Sequence, residues 1–341
     1  KKFIPKDKLW PINETWNYHC GRYEFSDLSR LIEAIDQRYG KPDSVEAFDK
    51  KTQAMNYELM RPMFESFQVY KDRATGLIQW MLNAAWPKMY WQLYDYYLMP
   101  TGAFYATQKA CSPLHLIYDY GDNQIYVIND HLYEVKNLKA QIRVYDIESV
   151  LHLEKNLFFD VTPDSSFSIF KLEGLNNLST TYFVDLRLFD SEEKQIGTNF
   201  YWLSTEEETL DYEADLGEFA YHTPSKKYAN LKLLDSLPKV DVAIESHHKK
   251  EGEEQTIIAQ LENTGDTIAF LINLNIVEKG TNEVLLPIFW EDNFISLLPG
   301  EKRSLQTTFK SAAIPELKVD GWNLNKISYA EISDTGREAL S

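Results

Sequence analysis

Near Cys111 the apolar residues of this chain stop recurring at helical intervals and begin to alternate. Helical recurrence marks one face of a helix, and alternation marks one face of a strand. The switch limits the fold to a mostly helical head and a longer β-rich tail. In the head, Ser26-Asp27 caps a predicted helix with apolar positions Leu28, Leu31, Ile32 and Ile35, and Gly40 stops it. After a break at Lys41-Pro42-Asp43-Ser44, a longer helix aligns Phe48, Met55, Leu59, Met63 and Phe67, with Asp43 or Ser44 as its cap. Pro62 lies inside that helix and is expected to kink or bound it. Thr75-Gly76 closes the unit, and Leu77-Ile78-Gln79-Trp80-Met81-Leu82 then reads as a buried strand. An aromatic segment from Trp86 to Tyr97 follows, and a further helix is predicted over Ala103–Ala110. Helix, one apolar strand, helix is a piece of α/β architecture. One strand cannot make a sheet.

The tail divides into two β zones. In the first, residues 112–212, the runs Gln124–Asn129, Ala140–Tyr145 and Tyr182–Phe189 are rich in β-branched and aromatic residues. Turn clusters such as Gly121-Asp122-Asn123 and Asn176-Asn177 separate them. A linker over 213–237, containing His222-Thr223-Pro224-Ser225, leads to the second zone, 238–341. There Val240–Ile244, Thr256–Leu261, Ala269–Leu274 and Ser304–Phe309 read as strands, with turns at Asn263-Thr264-Gly265-Asp266 and Leu298-Pro299-Gly300-Glu301. Each zone has the length and patterning of a β-sandwich of roughly 100 residues.

Composition narrows the function. No apolar run approaches the roughly 20 residues of a membrane span, so no such span is expected. With 35 Lys and Arg against 52 Asp and Glu, the net charge of −17 would repel a phosphate backbone, and no basic patch offsets it. Nucleic acid is therefore not an expected partner. Cys20 and Cys111 allow at most one disulfide and make no zinc site by themselves. His247-His248 reads as a solvated, charged loop, and no acidic stretch has calcium-loop spacing, so neither metal nor cofactor is expected. The start at Lys1-Lys2-Phe3, with no signal-peptide pattern, suggests a processed or truncated product.

Four segments carry a resemblance. The first is Leu9-Trp10-Pro11 with Thr15-Trp16-Asn17-Tyr18-His19, and the second runs from Gly76 to Pro87 and on through Trp91–Tyr97. The third is Ala106–His115, and the fourth Pro287-Ile288-Phe289-Trp290-Glu291-Asp292-Asn293 through Glu301. Together, and in order along the chain, they resemble the C-terminal third of a glycoside hydrolase family 2 enzyme. The exo-β-D-glucosaminidase branch is nearest and β-mannosidase-type members follow. The resemblance implies a multidomain, mainly β fold: residues 1–111 as an N-terminal α/β remnant closing a (β/α)8 barrel, then two immunoglobulin-like β-sandwiches. Leu77–Asn83 would be the eighth barrel strand, which accounts for the solitary strand.

The implied reaction is retaining hydrolysis of chitosan-type oligosaccharides, which needs two carboxylates about 5–5.5 Å apart. In this family they come from the fourth and seventh barrel strands, upstream of Lys1, so no complete catalytic pair is expected here. Asn13-Glu14 imitates the family's acid/base pair, but it lies in a Pro-rich loop with one strand after it. The chain is expected to supply pocket wall instead, because barrel enzymes place functional groups at strand C-termini. The candidates are Trp80, Asn83, Trp86, Asp95, Trp16 and His19, with Tyr18 beside them. Against this stand simple packing for the aromatics, including Trp91, Tyr94 and Tyr97, and backbone capping for Asp95. Trp290 is expected to pack a core or a domain contact, with Asp292 and Asn293 holding a turn. The implied partners are an oligosaccharide and the upstream domains of the same polypeptide, in a parent that is secreted or periplasmic. A β-mannosidase or β-galactosidase parent is the alternative in the same class. A non-catalytic carbohydrate- or protein-binding sandwich module is the alternative outside it. A half-made barrel would expose apolar surface and self-associate.

Overall fold

The computed structural model describes residues 2–90, 92–217, 222–330 and 333–334. The head is helical: α1 (Glu14–Asn17), α2 (Ser29–Tyr39), α3 (Val45–Val69) and α4 (Gly102–Ala110). Asp27 Oδ1 accepts the Ser29 amide at 2.8 Å, and Gly40 ends α2 at φ 80°. Ser44 caps α3 by accepting the Ala47 amide at 3.2 Å. Pro62 does not end α3, which runs unbroken to Val69. Buried Glu58, Arg61 and Glu65 on either side of the proline tie that stretch to the rest of the molecule.

The expected strand at Leu77–Leu82 does not form. The segment has no strand pairing, and Ile78 and Trp80 are 92% and 77% exposed. A strand exists through a ladder of backbone hydrogen bonds to its neighbours, and the bond from Leu93 N to Leu82 O at 3.0 Å does not make one.

In the tail, β1 (Leu114–Asp119), β2 (Gln124–Asn129), β3 (Val135–Asp146), β4 (Leu151–Val161), β5 (Ser165–Lys171), β6 (Thr181–Phe189) and β7 (Gln195–Ser204) make two sheets. Their orders are β1-β2-β5 and β4-β3-β6-β7, all antiparallel. Alternate residues point inward: Leu138, Ala140, Ile142 and Val144 from β3 meet Val184, Leu186 and Leu188 from β6 and Ile125 and Val127 from β2. The later part of the connecting stretch is packed: β9 (Ser225–Lys227) pairs with β8 (Thr209–Leu210), which precedes the stretch, and Leu231, Leu234 and Leu237 at the 3-10 turn Lys232–Ser236 are buried.

The second sandwich holds β10 (Val242–Glu251), β11 (Glu254–Asn263), β12 (Ala269–Glu278), β13 (Ile295–Leu297), β14 (Lys302–Lys310), β15 (Pro315–Asp320), β16 (Ser328–Ala330) and β17 (Ser333–Asp334). Its sheets are β14-β11-β10-β17 and β13-β12-β15-β16. His247 and His248 lie in β10, paired with Ile258 and Ile257, and not in a loop. Their charged followers Lys249, Lys250 and Glu251 give that strand end a polar sequence, yet the ladder to β11 continues through it.

The core of the helices is continuous with that of the second sandwich and takes in Tyr145, Phe183 and Trp202 from the outer face of the first. A polar network crosses the same junction. Arg61, fully buried, donates through Nη1 to Asn199 Oδ1 and to the Phe200 carbonyl, both at 2.8 Å, and lies 3.7 Å over the Tyr201 ring. Glu65 Oε1 accepts from Asn199 Nδ2 at 2.8 Å and Tyr201 Oη at 2.9 Å. Helix α3 is thereby bound to β7 by charge-assisted hydrogen bonds as well as by packing.

Candidate functional site

The expected pocket residues fall into three settings. Asn13 caps α1: its Oδ1 accepts the Thr15 amide at 3.0 Å, while its Nδ2 donates to the carbonyls of Lys8 and Pro11. Glu14, next in line, is exposed in the first turn, where a carboxylate favours the helix N-terminus. Trp16 points the other way. It is buried, edge-on to Phe48 with centroids 5.8 Å apart, and its Nε1 donates to the Lys8 carbonyl.

The second setting is an aromatic cluster where α1 meets the loop after Leu82. The His19 ring lies 5.5 Å from Trp86 and 4.6 Å from Phe3, and its Nδ1 is 2.6 Å from the Pro87 carbonyl. The His19 carbonyl accepts the Met89 amide at 2.8 Å. These two bonds hold the Trp86–Met89 loop on the end of α1. Tyr18 stands edge-on to both His19 and Trp86, and is 75% exposed. Trp86 keeps an exposed face, and Trp80 and Asn83 are exposed on the segment before it. Exposed aromatic faces of this kind suit the C–H face of a sugar ring, and an indole face also attracts a ligand ammonium.

Asp95 makes the third setting. Its Oδ1 accepts the amides of Tyr97 and Met99 at 2.8 and 2.9 Å, so this oxygen holds a turn. Trp91 lies outside the described residues. The structure thus brings His19, Trp86 and Tyr18 together, turns Trp16 into the core and occupies one oxygen of Asp95.

Reading along the chain missed the support beneath this cluster. Tyr90 Oη donates to the Asp27 carbonyl, the Tyr90 ring sits 5.6 Å from Phe25, and burial pushes its phenol up to about 12. Burial likewise lifts the Cys20 thiol to about 11, which leaves it a poor nucleophile. Among the described residues no group of three His, Cys, Asp or Glu is placed to hold a metal ion.

The third and fourth resemblance segments meet each other. Trp290 is buried, and its amide donates to Tyr105 Oη at 3.2 Å. Asp292 Oδ1 accepts the Asn293 amide at 2.9 Å, as a turn residue does. Its Oδ2 accepts Lys109 Nζ at 2.7 Å and Arg303 Nη2 at 3.1 Å, an ion pair reaching 183 residues back to α4.

These sandwiches are of a known type. Residues 121–205 match the family model of a mannosidase Ig/CBM-like domain, and residues 220–324 that of an exo-β-D-glucosaminidase Ig-fold domain. Both are domains of glycoside hydrolases. The chain is 34% identical to the exo-β-D-glucosaminidase of Arthroderma benhamiae over 96% of its own length, and it spans 37% of that protein. The solved exo-chitosanase CsxA of Amycolatopsis orientalis superposes with a TM-score of 0.89 at 29% identity, over 96% of this chain and 40% of that one. The β-D-mannosidase of Dictyoglomus thermophilum shares the fold, with a TM-score of 0.72 at 18% identity over 96% of this chain and 36% of that one. The chain is a relative of the exo-β-D-glucosaminidases, with β-mannosidases next, as its four segments indicated.

Proposed function

We propose that this chain is the C-terminal portion of a retaining exo-β-D-glucosaminidase acting on chitosan-type oligosaccharides. Residues 1–111 close its (β/α)8 barrel, 112–212 and 238–341 are immunoglobulin-like sandwiches, and 213–237 joins them. The catalytic carboxylates belong to the remainder of the polypeptide. Trp80, Asn83, Trp86 and His19, with Tyr18, contribute pocket wall, and Asp95 shapes the loop behind them. The observation that carries this reading is the segment Leu77–Leu82, which has the composition of a buried strand yet forms no strand among the described residues and leaves Leu77, Ile78, Trp80 and Leu82 exposed. It belongs to a chain spanning less than two-fifths of its A. benhamiae relative. An apolar strand sequence with no sheet to join is what part of a barrel would show.

The test is hydrolysis of an aryl β-D-glucosaminide, with the β-mannoside in parallel. The expected result is no turnover by this chain on either substrate, and release of glucosamine by the longer polypeptide. Turnover by this chain would refute the missing catalytic pair and make Glu14 the first residue to replace. Cleavage of the mannoside alone by the longer polypeptide would transfer the proposal to the β-mannosidases.

A further inference from the structure

The loop between β12 and β13 contains the first part of the fourth resemblance segment, Pro287–Phe294, and it is fastened to its own sandwich on two sides. Asn293 accepts the Leu274 amide at 2.8 Å and donates to the Leu274 carbonyl at 2.9 Å, pairing with β12 as a strand residue would. On the other side Thr307 Oγ1 donates to the Phe289 carbonyl at 2.7 Å, and the Glu291 amide donates to the Gln306 carbonyl at 3.0 Å. What the loop presents to the head is therefore fixed by the second sandwich. It presents Phe289, whose ring lies 5.3 Å from Phe104 of α4 and 6.4 Å from Tyr94, with the Lys109–Asp292 pair beside it.

Tyr94 leads directly to the candidate wall. The Leu93 carbonyl before it accepts both Thr101 N at 3.1 Å and Thr101 Oγ1 at 2.8 Å at the start of α4, and the Leu93 amide donates to Leu82 O at 3.0 Å. Leu82 lies between Trp80 and Asn83. Its bond to Leu93 ties this segment to the start of α4.

We infer that Phe289, on the last sandwich, is a positioning residue for the candidate pocket wall, acting through Tyr94 and Leu93 on the segment that carries Trp80, Asn83 and Trp86. The inference rests on the functional reading above. It also gives the fourth segment a role, in which a distant domain sets the position of a wall that forms no strand among the described residues.

Phe289 is 41% exposed, so Phe289→Ala removes two ring contacts without hollowing out a core. In the longer enzyme this variant is expected to raise KM for the aryl glucosaminide about fivefold with kcat nearly unchanged, the lower end of what two aromatic contacts carry. Phe289→Tyr is expected to restore it. A role limited to stability would lower the active fraction, and so kcat, while leaving KM alone; that pattern overturns the inference. In the 341-residue chain itself, hydrogen exchange at the Leu93 amide is expected to quicken in Phe289→Ala while β11 amides keep their protection. Unchanged exchange at Leu93 also overturns it. A wild-type enzyme inactive on glucosaminides would refute the functional reading instead, and the exchange result would still decide the positioning.

Discussion

His115 in β1 shows what burial does to one ionisable residue. It is almost fully buried, and desolvation lowers its pKa to about 4, against a slight upward pull from Asp130. In the unfolded chain the ring takes its proton near the ordinary value of about 6.5. Between those two values the unfolded state binds more protons, so stability is complete above the upper one and is lost as pH falls toward the lower. The loss amounts to about 3 kcal/mol. Urea unfolding of wild type and His115→Gln at pH 7, 5.5 and 4 measures it, since the carboxylates titrate alike in both. The expected result is a wild-type advantage that shrinks by that amount on acidification; a difference flat with pH would contradict it. The same scale explains why Asp95 and Asn13 were ambiguous as letters. A short polar side chain beside a turn can bond a ligand or its own backbone, and in the folded chain both bond backbone.

Among elements, α4 is held close against α3. A β-carbon on Gly102 would stand 2.5 Å from the Gln53 carbonyl oxygen of α3, a backbone atom that cannot swing aside. Gly102→Ala is expected to lower unfolding stability by about 1–3 kcal/mol through forced separation of the two helices. Gly76→Ala, with nothing within 4 Å, should stay within about 0.5 kcal/mol. Equal urea midpoints for the two variants would refute the close approach. Helices α2, α3 and α4 and strands β2, β3, β6, β10, β11, β12 and β14 were readable in the sequence because helical spacing and alternation report a buried face, whereas β1, β4, β5, β7 and β15 were given no run of their own. Two misreadings show where such patterns stop informing. Leu77–Leu82 states in its residues which environment it suits, and not whether that environment is present. The charged end of β10 hides a strand because its pairing to β11 leaves no apolar trace there.

For the whole molecule, the exposed run Leu77, Ile78, Trp80 and Leu82 is an apolar surface that the helices and sandwiches leave uncovered. A net charge of −17 keeps copies apart at low salt, and screening weakens that repulsion. Sedimentation velocity is expected to show concentration-dependent association that strengthens with salt, and Ile78→Glu is expected to reduce it. A monomer at every concentration and salt would overturn the expectation. The candidate site was legible only as a set of letters at this scale. His19 bonds Pro87 across 68 residues and Lys109 meets Asp292 across 183, and no local spacing encodes either meeting.

The bonds between Arg61, Glu65, Asn199 and Tyr201 bear on how such a protein can be cut and recombined. Severing the chain between α4 and β1 would strand a guanidinium and a carboxylate on one piece and leave their amide and phenol counterparts on the other. Grafting the sandwich onto a foreign head would do the same, unless the new neighbour supplied both a donor for Asn199 Oδ1 and an acceptor for Asn199 Nδ2 and Tyr201 Oη. Helix α3 is thus part of the sandwich's inheritance as much as of the head's. The boundary that looks natural along the chain is one that cuts through a buried polar network.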